Sequence, residues 1–315
     1  MATFETGLTL PPHVGFGSAT GLPELRVGDS LGDEQYQLQS TISRRKSSEV
    51  YIATDWGSED TDNSYVALKI LHEPYTSSRL RVDTMLATHA VLDGRPGIVS
   101  LHAMGVLERA ENQPRRYIAT DLATGGNLLD AAKKNPRDID MLLRMGLDVL
   151  AGLEAMHEIG VVHCDVKPEN ILASHGNERW ELTDFDIVEA DSAPQVHDLI
   201  RRSLGSYAIS DDVRPVLGTP GYIAPESFQG DDPGPKADVF AVGVTMYEVA
   251  TGKLPFRSET LENYKIAVTH ESPVSACALN RAVPLRLDIL SNACMSPNPQ
   301  DRPTTSELIS SLQAI

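Results

Sequence analysis

The sequence predicts an α+β fold of two lobes, and three observations support this prediction. The chain has 315 residues, which is enough for one large or two smaller domains. Its part from Gln35 to Asp121 is rich in short runs of β-branched and aromatic residues. From Gly126 onward, apolar residues instead recur at helical spacing. A small β-rich part followed by a larger helical part is typical of α+β folds with segregated elements.

Short runs in the first part are predicted to be strands, and one longer run is predicted to be a helix. The strands cover residues 36–42, 50–53, 65–71 and 117–119, and the helix covers about 78–92. Residues 1–32 contain several prolines and glycines and little periodicity, so we expect an irregular N-terminal extension. In the second part, helices are predicted around 142–156, over 238–250 and after Pro303. The helix at 238–250 is apolar on nearly every side, which indicates burial.

Charge and composition exclude several classes of function. Asp and Glu total 44 against 27 Lys and Arg, a formal net charge of −17. Such a chain is a poor binder of nucleic acid or anionic lipid, and no apolar run reaches the ~18–20 residues that span a bilayer. Its three cysteines are widely spaced and include no CxxC pair, so neither a disulfide framework nor a zinc site is indicated. We therefore expect a soluble cytoplasmic protein with no nucleic-acid or membrane partner.

Four segments carry the chemistry. They are HCDVKPENIL at 163–172, TDFD at 183–186, GTPGYIAPE at 218–226 and DVFAVG at 238–243. In this order and spacing they resemble the eukaryotic-type (Hanks-type) protein kinase family over roughly residues 35–312. The resemblance implies a bilobal protein kinase fold at 33–315, with an N-lobe at 33–124 and a C-lobe at 125–315.

The resemblance implies roles for the polar residues of two of these segments. Phosphoryl transfer needs a positioned nucleophile, held metal ions and neutralised charge. Asp165 corresponds to the catalytic base and Lys167 to a residue that contacts the transferring phosphate. Asn170 and Asp184 correspond to the Mg²⁺ ligands. Each of these residues alone would be read as a solvated loop residue, but together they favour a phosphotransferase site.

The resemblance also implies an ATP site. Lys69, in the segment VALK at 66–69, corresponds to the lysine that pairs with the α- and β-phosphates, although a lone lysine ending an apolar strand is usually just solvated. Thr120 corresponds to the gatekeeper, and the backbones of Asp121 and Ala123 would read the adenine edge. The remaining adenine-binding residues implied are Val50, Ala67 and Leu172.

Further residues indicate the substrate class and the scaffold. Lys167 and Thr219 resemble the Ser/Thr class rather than the Tyr class. Glu226 and Arg302 resemble the family's buried ion pair. Asp238 resembles the aspartate that holds the backbone of the catalytic loop.

The sequence departs from the family at the phosphate-binding loop and at the helix before Pro96. The three expected glycines fall on Ser43, Arg45 and Ser48, so either Arg44, Arg45 and Lys46 supply charge to phosphate, or the segment is a solvated turn with weak phosphate grip. The helix should carry a glutamate near 85–86 that pairs with Lys69, but 77–92 contains no Glu. Asp83 is the acid there, and it either substitutes in the pairing or is solvated.

Two more departures lie near the catalytic residues. Asp186 replaces the glycine of the metal motif, which gives DFD in place of DFG. Cys164 replaces the arginine before the catalytic aspartate, which indicates that activation-loop phosphorylation is not the main switch. The segment 187–217 is long for an activation loop.

The sequence therefore predicts a protein serine/threonine kinase that uses ATP and Mg²⁺ to phosphorylate a protein hydroxyl. The alternative is a pseudokinase that serves as a nucleotide-binding or scaffold module, which the lost glycines motivate. A kinase of small molecules is a third interpretation, but the GTPGY and APE segments resemble peptide-docking parts. No pattern indicates an oligomeric state.

Overall fold

The structure is a computed structural model of the chain, and its contacts divide into two compact units. It describes residues 25–32, 35–45, 48–57, 65–72, 79–107, 115–136, 138–174, 179–185, 188, 195–196, 218–229 and 233–315, without the side chains of 79–82. The first unit contains the described residues up to Gly94, those of 100–122 and 195–196. The second contains 95–99 and the other described residues from Ala123 onward. The unit change at 122–123 lies close to the sequence-based lobe boundary at 124.

The first unit is an antiparallel sheet with one long helix. The sheet has six strands in the order β1-β2-β3-β4-β6-β5. The strands are β1 (Ser30–Leu31), β2 (Tyr36–Arg44), β3 (Ser48–Asp55), β4 (Tyr65–Leu71), β5 (Leu101–Leu107) and β6 (Arg115–Asp121), and helix α1 is Arg79–Leu92. The predicted helix and the predicted strands are confirmed, whereas β5 was not predicted because its sequence LHAMGVL has only one β-branched residue.

The core of the first unit lies on one face of the sheet. Alternate residues of the strands point into it, which is the pattern of a half-buried sheet. Tyr36 of β2 and Tyr117 of β6 pack edge to face, with ring centroids 5.3 Å apart. Leu38, Tyr51 and Leu68 are each 0% exposed in the same cluster.

The last residues before the predicted kinase domain belong to this core. Ser30 and Leu31 form a strand that pairs with Gln37 and Tyr36. Leu25 is 2% exposed and packs in the same apolar cluster. The interpretation of 1–32 as irregular is therefore wrong at Ser30 and Leu31, because their pairing with β2 is stronger than the local signal of the glycines around them. Residues 1–24 lie outside the described residues.

The second unit is mainly helical. Its elements are α2 (Leu128–Lys134), α3 (Ile139–Glu158), the hairpin β7 (Ile171–Ala173) and β8 (Trp180–Leu182), α4 (Pro235–Thr251), α5 (Leu261–His270), α6 (Ala276–Leu279), α7 (Leu285–Cys294) and α8 (Thr305–Gln313). The α+β prediction, with a β-rich and a helical part, is confirmed. No described helix is long and apolar enough to cross a membrane.

The ends of the main helices follow from local chemistry. Asp138 caps α3 by accepting from the Met141 amide at 2.8 Å. Pro235 is the first residue of α4, and Gly252 ends that helix in the left-handed region at φ 71°. Thr304 and Glu307 form a capping box at the start of α8. These local contacts fix where the predicted helices begin or end.

Candidate active site

Three donors converge on the Asp165 carboxylate in the second unit. Lys167 Nζ lies 2.6 Å from Oδ2, and Asn170 Nδ2 lies 2.9 Å from the same oxygen. Thr219 Oγ1 lies 2.6 Å from Oδ1. Asp165 and Lys167 are 8% and 9% exposed, so the ion pair is largely shielded from water. The structure therefore brings the predicted base, the phosphate-contacting lysine and one metal ligand into one group.

Thr219 is a residue of this group that the sequence did not assign to the site. Its hydroxyl accepts from Lys167 Nζ at 2.6 Å and donates to Asp165. The sequence identified Thr219 only as a marker of the Ser/Thr class. Because it lies 54 positions from Asp165, no local spacing indicates the contact. The hydroxyl now fixes both charged side chains in one geometry.

The backbone of the catalytic loop is held by Asp238, as predicted. Its carboxylate is fully buried and accepts from the His163 amide and the Cys164 amide, each at 2.9 Å. His157 Nε2 lies 2.8 Å away. Burial raises the pKa of Asp238, but the hydrogen bonds from His157 and the His163 amide outweigh this and hold the pKa below its usual range. Cys164 has φ 66°, which is uncommon for a residue other than glycine. The hydrogen bonds of the His163 and Cys164 amides to Asp238 hold the backbone in this conformation.

His163 links the catalytic loop to the metal motif and is a second residue that the sequence quoted without a role. Its Nδ1 accepts from the Asp165 amide at 3.2 Å, and its Nε2 donates to the Thr183 carbonyl at 3.2 Å. The ring packs edge to face on buried Phe185, with centroids 5.5 Å apart. The loop and the metal motif are therefore joined at neighbouring positions.

Asn170 and Asp184 offer the oxygen ligands that Mg²⁺ prefers. The Asn170 amide nitrogen donates to the Asp165 carbonyl at 2.9 Å, so its oxygen is the end suited to a metal. The Asn170 carbonyl accepts from the Thr183 amide at 3.1 Å, which fixes the residue before Asp184. Asp184 has φ 69°, a region that aspartate tolerates. The donor chemistry of these two residues fits a Mg²⁺ ion.

The rest of the predicted metal motif and activation segment gives little further information on the site. In the described part of the chain, no group of three or more His, Cys, Asp or Glu side chains could hold a metal by itself. Asp186 and the segment 187–217, apart from 188 and 195–196, lie outside the described residues.

In the first unit, four predicted nucleotide residues share one sheet face. Val50 of β3 pairs with Lys69 of β4, and Ala67 pairs with Thr120 of β6. Because side chains alternate along a strand, Lys69 and Ala67 point to the same side as Val50 and Thr120. This face is opposite to the one that carries the apolar core. The sheet register alone thus gathers residues from three strands.

The predicted adenine-reading residues show which backbone groups are already used. The Asp121 amide donates to the Ser100 carbonyl at 3.0 Å, so its carbonyl is the group suited to a nucleotide. The Ala123 carbonyl accepts from the Gly126 amide at 3.2 Å, which leaves the Ala123 amide as the complementary donor. Leu172 lies in β7 of the second unit, where it pairs with Glu181.

The segment that lacks the glycines lies where the antiparallel strands β2 and β3 form a hairpin, and the register of this pair shifts between Thr41 and Ser43. Ser43 pairs with Val50, Arg44 pairs with Glu49, and the Arg45 amide donates to the Ser48 carbonyl at 2.8 Å. Two of the three expected glycine positions are therefore strand residues.

Arg44 of this hairpin is directed to the N-terminal segment. Its Nη2 donates to the Leu25 carbonyl at 2.8 Å, and its guanidinium lies 6.0 Å from the Tyr51 ring centroid. Tyr51 in turn donates to buried Glu49 at 2.8 Å. Arg44 thus makes a structural contact, and a charge contribution to phosphate from Arg44, Arg45 and Lys46 stays a prediction, with Lys46 outside the described residues.

Helix α1 carries apolar residues where a glutamate was expected. Met85 and Leu86 are 3% and 0% exposed. Asp83, one turn earlier, is also buried at 3% exposed, and it accepts from Arg116 Nη1 at 2.6 Å. The interpretation of Asp83 as a solvated residue is therefore wrong, since the arginine partner compensates its burial. Its pairing with Lys69 stays a prediction.

The predicted ion pair between Glu226 and Arg302 is present in the second unit. Arg302 Nη1 and Nη2 donate to the two carboxylate oxygens at 2.6 and 2.7 Å, and both residues are buried. The guanidinium also lies 5.0 Å from the Phe240 ring centroid on α4. This pair ties the end of the GTPGYIAPE segment to the helical core.

Comparison with known proteins gives a consistent result. A family described as "Protein kinase domain" matches residues 36–312. Serine/threonine-protein kinase PknL of Mycobacterium tuberculosis (strain H37Rv) is 28% identical over 87% of this chain and 63% of its own length. PknA of the same strain is 32% identical over 74% of this chain and 50% of its own. PksC of Streptomyces coelicolor is 27% identical over 89% and 49%. The chain spans about half to 63% of these relatives.

Proposed function

Because the chain belongs to the protein kinase family, in its serine/threonine class, we propose that it is an active enzyme that transfers the γ-phosphoryl group of ATP to a hydroxyl of a protein substrate. The observation that carries the proposal is the group of Asp165, Lys167, Thr219 and Asn170, joined by hydrogen bonds of 2.6–2.9 Å. A buried carboxylate held by several donors is preorganised, which is costly to keep in a chain that performs no chemistry.

Each residue has a defined task in this mechanism. Asp165 accepts the proton of the substrate hydroxyl, and Thr219 and Asn170 keep its carboxylate oriented. Lys167 lies 2.6 Å from that carboxylate and places positive charge where the transferring phosphoryl group gains negative charge. Asn170 and Asp184 would hold Mg²⁺, which would neutralise phosphate charge when bound. Lys69 orients the nucleotide phosphates from the face it shares with Val50.

The test measures both transfer and nucleotide binding. Purified chain is incubated with labelled ATP, Mg²⁺ and a generic protein substrate, beside Asp165→Asn and the control Asp140→Asn, which removes an exposed carboxylate on α3. We expect the Asp165 variant to lose transfer by about 10²–10⁴-fold while it keeps nucleotide affinity, and the control to match wild type. Phosphopeptide mapping should place the label on Ser or Thr.

The outcomes separate the alternatives. Nucleotide binding without transfer by the wild type would make the chain a pseudokinase. Lys69→Met should abolish transfer while the melting curve stays unchanged. Unfolding of this variant, or wild-type chain that binds no nucleotide, would contradict the assignment of Lys69. The cytoplasmic location and the lack of nucleic-acid and membrane partners are part of the proposal, and they rest on charge and composition.

A further inference from the structure

A buried ion pair joins helix α1 to strand β6 in the first unit. Arg116 Nη1 lies 2.6 Å from Asp83 Oδ1, and the side chains are 1% and 4% exposed. Arg116 is among the largest fully buried side chains of the described residues. Two charges are stable at this depth only when they face each other with good geometry. The pair therefore fixes the helix at one position along the strand.

The strand register places Arg116 on the face that carries the nucleotide lysine. Lys69 pairs with Ile118, and Arg116 is two residues from Ile118 on the same strand. Residues two apart on a strand point to the same side. Arg116 and Lys69 are therefore diagonal neighbours across the strand pair, and residues so placed lie about 7–8 Å apart. Arg116 and Lys69 are thus two cations on one face, and Asp83 brings a carboxylate from the helix to that face.

The helix has this acid one turn before the position where the glutamate was expected. Asp83 and Leu86 are three residues apart, so they lie on the same side of α1. Leu86 is fully buried, and it cannot contribute a charge. Arg116 accordingly gives α1 an ionic link to the sheet, in addition to any contact made by Lys69.

We infer that Arg116 and Asp83 are positioning residues for the nucleotide site: their pair sets the place of α1 against β6, and with it the charge around Lys69. The inference rests on the proposed function in taking Lys69 as part of a nucleotide site. Loss of Arg116 leaves Asp83 buried near Lys69 without its arginine, and loss of the Asp83 charge leaves two cations on one face. Both changes alter the field in which nucleotide phosphates bind.

The experiment compares Arg116→Met, Asp83→Asn, the double variant and the conservative Arg116→Lys. Arg115→Met is the matched control, because Arg115 is a buried neighbour that points to the opposite face. Hydrogen exchange of α1 amides and the Kd for a fluorescent ATP analogue with Mg²⁺ are measured for each. Asp83→Asn keeps the side-chain shape, so it remains informative if Arg116→Met does not fold.

We expect the hydrogen-exchange rates of the α1 amides and the Kd for the ATP analogue to rise in Arg116→Met and Asp83→Asn. The rise in Kd should be about tenfold, a size typical of coupled positions. The Kd of the double variant should be close to that of one single variant and well below the value expected if the two single effects multiplied. Arg116→Lys should recover part of the affinity.

Two results would overturn the inference. Unchanged α1 exchange in both single variants would mean that the pair does not hold the helix. Faster exchange with wild-type Kd would make the pair structural only. If the wild type binds nucleotide but transfers nothing, the proposed function fails, while exchange and Kd still decide the inference.

Discussion

The two units differ in how their site residues are held. In the second unit, Asp165, Lys167 and Asn170 lie within six positions of one another and bond to each other directly. In the first unit, two of the three positions where the family has glycines, Ser43 and Ser48, are strand residues, and Arg44 binds the Leu25 carbonyl. The predicted catalytic loop has the family's residues in mutual contact, whereas the segment of the expected glycines carries a structural contact. The family's residue types are thus present in the loop and absent where the family depends on glycine backbone freedom.

The largest effect on stability should come from the ion pair that supports the second unit. Arg302→Met leaves the Glu226 carboxylate buried without its partner, and we expect a loss of about 3–5 kcal/mol in the free energy of unfolding. Urea denaturation measures this loss. Arg281→Met, at an exposed position, is the control and should change stability by less than about 0.5 kcal/mol. Equal stability of the two variants would show that the pair contributes nothing to the unit.

A smaller effect should appear as acid sensitivity of the catalytic loop. The folded state holds the pKa of Asp238 below its usual range, so this carboxylate contributes stability above about pH 4 that is lost as the pH falls through the folded pKa. The groups that face it are His157, the His163 amide and the Cys164 amide. Asp238→Asn removes the charge and should cost about 1–3 kcal/mol near neutral pH.

The measurement is the free energy of unfolding of wild type and Asp238→Asn between about pH 3 and pH 7. We expect the difference between them to shrink as the pH falls below about 4, because the unfolded wild-type chain protonates this carboxyl at a higher pH than the folded chain does. Asp140→Asn, which removes an exposed carboxylate, is the control and should give only a small difference near neutral pH. A difference that stays constant for Asp238→Asn would contradict the lowered pKa.

The sequence could predict a residue where its own segment carries a recognisable pattern. Asp165, Lys167 and Asn170 were readable because a single loop brings them together, and Asp238 and Arg302 stand in segments with strong signals of their own. Thr219 was missed as a site residue because its contact with Asp165 spans 54 positions. The pair of Asp83 and Arg116 spans 33 positions and depends on where a helix meets a strand, which spacing does not encode.

Secondary-structure elements were likewise predicted where their own residues carry a pattern. Strands with β-branched runs were predicted, whereas β5 is held by pairing with β6 rather than by its own composition. The pairing of Ser30–Leu31 with β2 was missed for the same reason, since glycines flank these residues. Short α2 has an Asn127 cap, but its seven residues offer too little periodicity to be recognised.

The smallest effect should distinguish anchoring from charge in the hairpin. Arg44→Met removes the bond to the Leu25 carbonyl, and we expect a loss of about 1 kcal/mol in stability, because one partly exposed hydrogen bond contributes about that much. Arg45→Met, the matched change at the next residue, removes the same charge without this bond. Urea denaturation and the Kd for an ATP analogue are measured for both.

If Arg45→Met weakens nucleotide binding and Arg44→Met does not, Arg45 supplies charge to phosphate in place of the glycine loop. If neither variant changes the Kd, neither arginine supplies charge to phosphate, and if Arg44→Met leaves stability unchanged, its contact with Leu25 is not an anchor.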